Sequence, residues 1–231
     1  MFDQPSLLPE GLASLPPGPE LGRVLASVDL SALTSADLYV LSSVRAGQVA
    51  FEESQLLAVM LEAAYAERAE ALARKTNPRG PLPSVPVRAT DLDEFSGDQL
   101  AFTLTRARVT AHAQLLMARD LMERIPVVFT ALRSGRIDLV RARVFSDALS
   151  GLGDEQARAV ADKLILKAEG WTPGILRERL RYHVLKADPS LARKRYEWSV
   201  ADRKVFLQPY ADGTAEIGGV NLPPPFGLGR V

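Results

Sequence analysis

The chain has 231 residues, contains no cysteine, and balances 28 Lys and Arg against 28 Asp and Glu. This length, with a hydrophobic share of 47%, allows one large domain with a buried core. The lack of cysteine excludes disulfide bonds and cysteine-ligated zinc. No apolar run reaches the roughly 18 residues that a membrane span needs, and the N-terminus lacks the pattern of a signal peptide. We therefore expect a soluble, cytoplasmic protein.

The zero net charge conceals an uneven distribution of charge along the chain. Residues 1–97 carry 7 Lys and Arg against 13 Asp and Glu, whereas residues 98–231 carry 21 against 15. An acidic segment is a poor partner for nucleic acid, and a basic segment is compatible with it. The basic excess is modest, however, and an ordinary solvated surface also produces it. Charge alone leaves both interpretations open.

The N-terminal third predicts a disordered leader followed by helices. Residues 1–19 contain five prolines and no periodicity, so we expect a disordered leader whose removal changes stability little. Residues 20–76 predict a helical region with one long helix, capped at Thr34 or Ser35. The apolar residues that predict the buried stripe of this helix are Leu38, Leu41, Val49, Leu56, Met60 and Ala64.

The middle of the chain predicts a linker and then a series of shorter helices. Four prolines within residues 77–92 exclude a helix and predict an exposed linker loop. Residues 93–200 predict a basic helical core. Its helices are expected near residues 96–104, 108–124, 127–134, 139–149, 154–168 and 173–185.

The period of the apolar residues changes near the C-terminus. Asp212 and Gly213 lie between two short apolar runs and predict a β-hairpin over residues 201–220. Pro209 confines the first strand to an edge, and residues 221–231 predict a disordered tail. The expected fold is therefore mainly α: a multi-helix bundle with one long N-terminal helix and a small C-terminal β-hairpin.

The sequence offers no catalytic constellation. His112 and His183 are the only histidines, and neither has a partner at metal-ligand spacing. No nucleophile elbow, phosphate-cradling glycine loop or dinucleotide fingerprint is present. We expect no catalytic residue, no metal site and no cofactor.

Residues 98–121 have the pattern of two helices separated by a tight break near Thr105. A helix-turn-helix requires the two helices to pack together, and the apolar residues available for this are Leu100, Ala101 and Leu104 with Val109, Ala113 and Leu116. The second helix would then present the candidate DNA-binding residues Arg106, Arg108, His112 and Arg119. Because the turn lacks glycine, an αα-hairpin with arginines facing water fits the pattern too.

A second arginine-rich stretch, "RIPVVFTALRSGRIDLVRARV", covers residues 124–144 and holds five arginines. Arg141 and Arg143 lie about 200° apart around a helix, so they cannot share one contact. Between the arginines, apolar residues recur at the spacing of a helical core. We expect these arginines at the rim of the core rather than in a base-reading surface.

The longer stretch "ARDLMERIPVVFTALRSGRIDLVRARVFSDALSGL" resembles the domain of unknown function 222, found in the actinobacterial HNH endonuclease family, also called the 13E12 repeat family. "GWTPGILRERLRYHVLKADPSLARKR" is similar to the next block of that family, and "ADRKVFLQPYADGTAEIGG" is similar to its closing hairpin. The resemblance covers roughly residues 35–220. It implies an association with DNA and with mobile elements.

Members of that family typically carry an HNH nuclease module after this domain, which needs paired histidines and a nearby asparagine. Here the only asparagines are Asn77 and Asn221, and the two histidines are isolated. The resemblance therefore implies a truncated or split copy, or a domain retained alone, with a separate or downstream HNH module as a partner. Two functions stay open. The chain is either a non-catalytic module that associates with double-stranded DNA, or a helical protein-interaction or regulatory scaffold without DNA contact.

The missing histidine–asparagine set predicts that the chain by itself does not cut DNA. Metal-assisted hydrolysis needs ligands for the ion and an activated water. We expect supercoiled plasmid to stay intact, as measured on an agarose gel after incubation with the chain and magnesium or manganese. Nicking that co-purifies with the chain and disappears in His112→Ala or His183→Ala would contradict this prediction.

Overall fold

The computed structural model describes residues 8–80, 88–89, 91–93 and 95–221 of the chain. The chain forms two compact units, Met1–Arg181 and Tyr182–Val231. The predictions made for residues 1–7, for residues 81–87 of the linker and for residues 222–231 of the tail lie outside the described residues.

The described residues are mainly helical, which confirms the predicted fold class. The helices are α1 (Pro19–Ala26), α2 (Ser35–Thr76), α3 (Asp98–Thr103), α4 (Arg108–Arg119), α5 (Pro126–Arg133), α6 (Leu139–Leu149), α7 (Asp154–Ala168), α8 (Pro173–Ala187) and α9 (Ser190–Ala201). The strands are β1 (Lys204–Pro209) and β2 (Ala215–Val220). A π-helical turn, Asp120–Arg124, joins α4 to α5 and is called the π turn below.

Helix α9 is the one element of this series that the sequence did not predict. Its apolar residues lack a clear helical period, and Pro189 directly before it is typical of a helix end. In the structure Asp188 helps to start a new helix. Its carboxylate accepts hydrogen bonds from the backbone N–H of Ser190 at 2.9 Å and from the Ser190 hydroxyl at 2.7 Å. Local hydrogen bonding of this kind begins helices without an apolar signal.

Helix α2 begins with the expected cap and continues for 42 residues. The Thr34 hydroxyl accepts from the backbone N–H of Asp37 at 3.2 Å, and the Asp37 carboxylate accepts from the backbone N–H of Thr34 at 3.4 Å. This reciprocal pair is a capping box, which satisfies two amide groups that the first helical turn leaves free.

The predicted buried face of α2 is wrong for half of its residues. Leu41, Met60 and Ala64 are buried, but Leu38, Val49 and Leu56 are exposed. Their places in the core are taken by Ala50, Leu57, Leu61 and Tyr65. Because α2 carries apolar residues at adjacent positions such as 56–57 and 60–61, helical spacing fits two faces equally well. The contacts of α2 with α4 and α5 decide which face is buried.

The prediction of a disordered leader through residue 19 is wrong over its described part. Leu12, in a short 3₁₀ helix, is buried with Leu21 and Leu25 of α1 and Leu41 of α2. The backbone N–H of Gly18 also donates to the Gln48 side chain at 2.8 Å. The high proline content of this segment does not indicate disorder, because proline is well accommodated in the first turn of a helix and α1 begins at Pro19.

Two glycines allow the turn after α5 to lie directly on α2. Gly135 has a φ of 70°, and a Cβ atom there would come within 2.9 Å of the Gly47 Cα and 2.8 Å of the Pro17 side chain. Any larger residue would clash with this backbone, so Gly135 serves both the turn and the close contact. Gly47 itself lies inside an unbroken α2.

Helices α5, α6 and α7 build the remaining core around the π turn. Apolar residues at helical spacing such as Val128, Ala142 and Phe145 are buried, whereas Leu139 is only partly buried. The fully buried large side chains around the π turn are Leu115, Leu121, Ile125, Leu132, Phe145 and Leu149. Among the described residues, no helix combines the length and the apolar character that crossing a bilayer requires.

The second unit contains the predicted β-hairpin, which the structure confirms. Strands β1 and β2 pair antiparallel, with Leu207 opposite Ile217. Gly213 has a φ of 87°, and the Asp212 carboxylate accepts from the backbone N–H of Thr214 at 2.9 Å. Turn chemistry therefore fixes the register, as the Asp-Gly pair indicated.

The buried position of Leu12 leads to a prediction opposite to the one from sequence alone. We expect Leu12→Ala to lower the free energy of unfolding by about 2 kcal/mol, because it removes buried apolar surface and leaves a cavity. Chemical denaturation of the whole chain measures this change. The control is Leu30→Ala, since Leu30 is 54% exposed and should change stability by less than about 0.5 kcal/mol. Equal effects of the two variants would show that the N-terminal segment is not docked.

Candidate nucleic-acid interface

Helices α3 and α4 are separated by the tight break that the sequence predicts. Thr105 adopts a left-handed φ of 51°, and the backbone N–H of Arg106 donates to the Ala101 carbonyl at 2.8 Å. This bond closes the end of α3 and allows α4 to start at Arg108.

The predicted packing of this helix pair is wrong on the α4 side. Val109, Ala113 and Leu116 face solvent. The residues of α4 that are buried are Ala111, Leu115, Met117 and Ala118. Helix α4 is therefore rotated relative to the expectation, because it packs against α2 as well as against α3. A two-helix motif considered alone cannot reveal this second partner.

The four candidate DNA-binding residues do not form one cluster. Arg108 and His112 lie one turn apart near the start of α4, but Arg119 lies at its other end, roughly 16 Å farther along the axis. His112 is half-buried, and its backbone packs directly against Gly97. A Cβ atom added to Gly97 would lie only 3.2 Å from the His112 Cα. Close packing of α3 and α4 thus limits the exposure of this histidine.

The three candidate arginines already have partners within the protein. Arg108 forms a two-pronged ion pair with Asp98, with nitrogen–oxygen distances of 2.7 and 2.6 Å. The Arg106 guanidinium donates to the Gln114 side chain. Arg119 lies 3.4 Å from a Glu123 carboxylate oxygen. A phosphate would have to compete with each of these contacts.

The π turn carries a polar network that sequence reasoning missed. Arg124 makes an ion pair with Asp120 at 2.7 Å and another with Asp154 at 3.2 Å. Its guanidinium also donates to the carbonyl of Leu149, at the end of α6, and to the carbonyl of Leu152 at 2.9 Å. One arginine, only 16% exposed, therefore ties the π turn to the end of α6 and the start of α7.

A second group of polar residues joins α2 to the π turn. The Tyr65 hydroxyl donates to Glu123 at 2.8 Å, and Arg88 lies 3.0 Å from the same carboxylate and 3.1 Å from Glu62. The Arg88 guanidinium also stacks over the Tyr65 ring at 3.8 Å, which is a cation–π contact. These contacts hold the end of the predicted linker against α2.

The environment of this group shifts two pKa values in opposite directions. Desolvation acts to raise the pKa of Glu123, but hydrogen bonds from Tyr65 and Arg88 outweigh it, so the pKa lies below its ordinary value. Burial, together with the hydrogen bond to the Glu123 carboxylate, raises the pKa of Tyr65. Both shifts favour the charged carboxylate and the neutral phenol, which is the arrangement of a structural contact.

A cleft of about 320 Å³ opens beside the π turn. It is lined by Leu116, Arg119, Asp120, Glu123, Arg124 and Asp154. Its two guanidinium groups and three carboxylates contact one another in the pairs described above. Over the part of the chain that the structure describes, no three histidine, aspartate or glutamate side chains are placed to hold a metal ion.

The arginine-rich stretch 124–144 mostly stabilises the fold. Arg124 belongs to the π turn network, and Arg136 pairs with Glu169 at 3.0 Å. Arg141 pairs with Asp138 at 2.6 Å and donates to the Trp171 carbonyl at 2.7 Å. These contacts agree with the expectation that the arginines of this stretch border the core.

Helix α8 carries three exposed arginines, on two of its flanks, that the sequence did not single out. Arg177, Arg179 and Arg181 face solvent, and none of them has an ion pair or a side-chain hydrogen bond within the described part of the chain. Leu176 and Leu180 hold the other face of the helix in the core. Arg177 and Arg181 lie one turn apart on one flank of α8, and Arg179 lies on the other flank.

The charge of the basic half is concentrated in this part of the sequence. Residues 98–172 carry 11 Lys and Arg against 9 Asp and Glu, whereas residues 173–204 carry 9 against 4. Counting charge over shorter segments would have drawn attention to α8. The pairing of the other arginines is visible only in three dimensions.

Truncation of Arg124 tests whether the π turn network is structural. We expect Arg124→Ala to cost about 3 kcal/mol of stability, because it removes the donor to the Asp120 carboxylate and to the Leu152 carbonyl, and one of two donors to the Leu149 carbonyl. Denaturant unfolding measures the loss. The matched control is Arg143→Ala, since Arg143 is exposed and has no ion pair among the described residues. A loss below about 0.5 kcal/mol for Arg124→Ala would remove the network as a structural element.

Comparison with known proteins adds one finding. A family model described as "Domain of unknown function (DUF222)" matches residues 58–225, well over half of the chain. The match includes the stretch 124–144, α8 and the β-hairpin, and it confirms the resemblance to this domain. No curated protein and no solved structure matches the chain significantly.

Proposed function

The chain belongs to the DUF222 family, and we propose that it acts as a non-catalytic, DNA-associating helical module. The observation that carries this proposal is the set of exposed arginines on α8, above all Arg177 and Arg181, which lie one turn apart. Arginines without a protein partner are available to contact phosphates, and such contacts supply most of non-specific DNA affinity. Residues 173–181 carry three arginines against one glutamate, and this positive balance supports the same surface.

The candidate residues on α4 form a second, weaker surface in this proposal. The pair between Arg108 and Asp98 is solvent-exposed, and exposed ion pairs contribute only about 0–1 kcal/mol. A phosphate can therefore replace Asp98 at low salt. Arg106, His112 and Arg119 are less available, because packing or partners hold each of them.

Glu178 gives the α8 surface an internal test. It lies between the arginines of α8 and opposite the buried face formed by Leu176 and Leu180. A carboxylate at this position repels phosphate and lowers affinity. If DNA lies along α8, removing this charge must strengthen binding.

The resemblance to the HNH endonuclease family supports a wider proposal. In this view the module associates with DNA for a nuclease carried by a separate or downstream HNH module, within a mobile element. The isolated positions of His112 and His183 in the sequence support a non-catalytic role for this chain.

A helical protein-interaction scaffold is the second candidate function. The exposed apolar residues of the α3–α4 pair favour it, since Phe102 is 83% exposed and Val109 is 82% exposed. Exposed large apolar side chains are enriched at protein-binding surfaces.

Binding to a random DNA duplex at several salt concentrations distinguishes the two surfaces. We expect the double variant Arg177→Ala, Arg181→Ala to weaken binding and to lower the slope of log affinity against log salt by roughly two units, because two phosphate contacts are lost. The matched variant Arg106→Ala, Arg108→Ala should have a smaller effect. Glu178→Gln should increase affinity. Fluorescence anisotropy measures all four proteins.

Two outcomes would contradict this assignment. If the α4 double variant loses binding while the α8 double variant binds like wild type, the DNA surface is the helix pair α3–α4. If the wild type does not bind at low salt, the protein-scaffold function replaces DNA association.

A further inference from the structure

The four residues between α7 and α8, residues 169–172, form a turn of the kind that joins the helices of a helix-turn-helix. Such a turn has about three or four residues and often contains glycine. Gly170 lies in this turn, and the Thr172 hydroxyl caps α8 by accepting a hydrogen bond from the backbone N–H of Ile175 at 3.4 Å. The break between α3 and α4 has no glycine, and α4 begins without a side-chain cap. The pair α7–α8 therefore has the local features that the pair α3–α4 lacks.

Two arginines fix this turn to the rest of the helical unit. Arg136, in the turn after α5, pairs with Glu169 at 3.0 Å. Arg141, in α6, donates to the Trp171 carbonyl at 2.7 Å. The start of α8 is therefore held in a defined place beside α5 and α6. A helix that contacts a ligand specifically needs a rigid support of this kind.

The first part of α8 exposes a carboxylate between arginines on both sides. Successive residues of an α-helix lie about 100° apart around the axis, so Arg177 and Arg179 flank Glu178 on opposite sides. Arg181 lies about 40° from Arg177 and belongs to the same flank. All four side chains are exposed, and within the described part of the chain none has an ion pair or a side-chain hydrogen bond. The four residues belong to the helical unit Met1–Arg181.

This arrangement of charges matches the cross-section of the DNA major groove. The groove is about 12 Å wide, and an α-helix with its side chains is about 10–12 Å across. A helix in the groove turns its flanks toward the two phosphate backbones and its centre toward the base edges. The flanks of α8 carry arginines, which suit phosphates. Its centre carries a carboxylate, which accepts a hydrogen bond from the N4 amino group of cytosine.

From these features we infer that α7 and α8 form a helix-turn-helix, that α8 lies in the major groove of duplex DNA, and that Glu178 reads a cytosine. The inference rests on the proposed association with DNA and deepens it, because it gives the α8 surface an orientation and a base preference. Residues near the start of a recognition helix are the ones that contact bases. Gly174 is exposed one turn before Glu178 on the same side, and its lack of a side chain allows the helix start to approach the base edges closely.

Contact with phosphates alone is the competing arrangement. In that case α8 lies along one DNA strand through Arg177 and Arg181, and Glu178 does no more than repel phosphate. Removing the charge of Glu178 then raises the affinity for every sequence equally. In the major groove the same change also raises the affinity for random duplex, but it removes the preference for cytosine at one position. Base preference and groove therefore distinguish the two arrangements.

Selection of bound duplexes from a random pool, followed by sequencing, tests the base contact with the whole chain. We expect the wild type to enrich a short motif in which one C·G pair is preferred by about fivefold or more over the other pairs. Glu178→Ala should lose the preference at this pair, and Glu178→Gln should shift it toward A·T, because glutamine pairs with adenine. The double variant Arg177→Ala, Arg181→Ala should bind more weakly and keep the motif. Circular dichroism checks that all variants are folded.

The results separate this inference from the function on which it rests. Wild-type binding without an enriched motif, or a motif that is unchanged in Glu178→Ala, overturns the base contact and leaves the proposed association with DNA in place. A wild type that does not bind any duplex at low salt contradicts both.

Two small cations that occupy different grooves test the placement of α8 without reference to sequence preference. Methyl green binds in the major groove, and netropsin binds in the minor groove of A·T-rich duplex. We expect methyl green to displace the wild type from an A·T-rich duplex at a lower concentration than netropsin, as measured by fluorescence anisotropy of the labelled protein. Netropsin also controls for competition by positive charge alone. If netropsin displaces the protein as readily as methyl green does, or if methyl green does not displace it, α8 does not lie in the major groove.

Discussion

The contacts of Arg124 are the interaction on which the centre of the helical unit depends. A π turn replaces regular helix between α4 and α5, and it directs the chain into a core that α6 and α7 complete. Arg124 lies at this junction and contacts two carboxylates and two carbonyls from three segments. A guanidinium is suited to this place because its five donors point in a fixed plane. The positive charge of Arg124 thus holds together the backbone segments that meet at the π turn.

This use of charge explains why a basic sequence half does not give a uniformly basic surface. Arg108, Arg119, Arg136 and Arg141 each have a carboxylate partner. Arginines that satisfy carbonyls or neighbouring acids contribute little field beyond the protein, whereas the arginines of α8, which have no ion pair among the described residues, contribute fully. Among the described residues, the surface of unpaired positive charge is therefore smaller than the composition suggests, and it lies in a different segment from the one that helical patterns favour.

The exposed apolar side chains have a related meaning. Those of the α3–α4 pair arise because α4 buries a different face from the one that carries Val109, so the Val109 side chain stays exposed to solvent. Those of the hairpin arise because two strands alone have no layer to cover them. In both places the fold of one chain leaves apolar surface available, and association with another molecule is the ordinary way in which such surface is buried.

Sequence alone determined most of the segments that become helices, with α9 as the exception, and where the strands pair. Caps at Thr34 and Asp138, the proline that begins α5 and the Asp-Gly turn act through neighbouring residues, so local chemistry was sufficient. It also determined the family, because the ordered blocks that resemble the domain lie within the matched residues 58–225.

Only the tertiary structure decided which faces and which charges are available. The sequence of α2 offers Leu56 and Leu57 as equal candidates for the core, and packing against α4 and α5 buries the second. Likewise, Arg106 and Arg108 look free in the sequence, but Gln114 and Asp98 hold them. Burial and pairing depend on residues that are distant along the chain or on another turn of the helix pair. Periodicity within one segment carries no information about them.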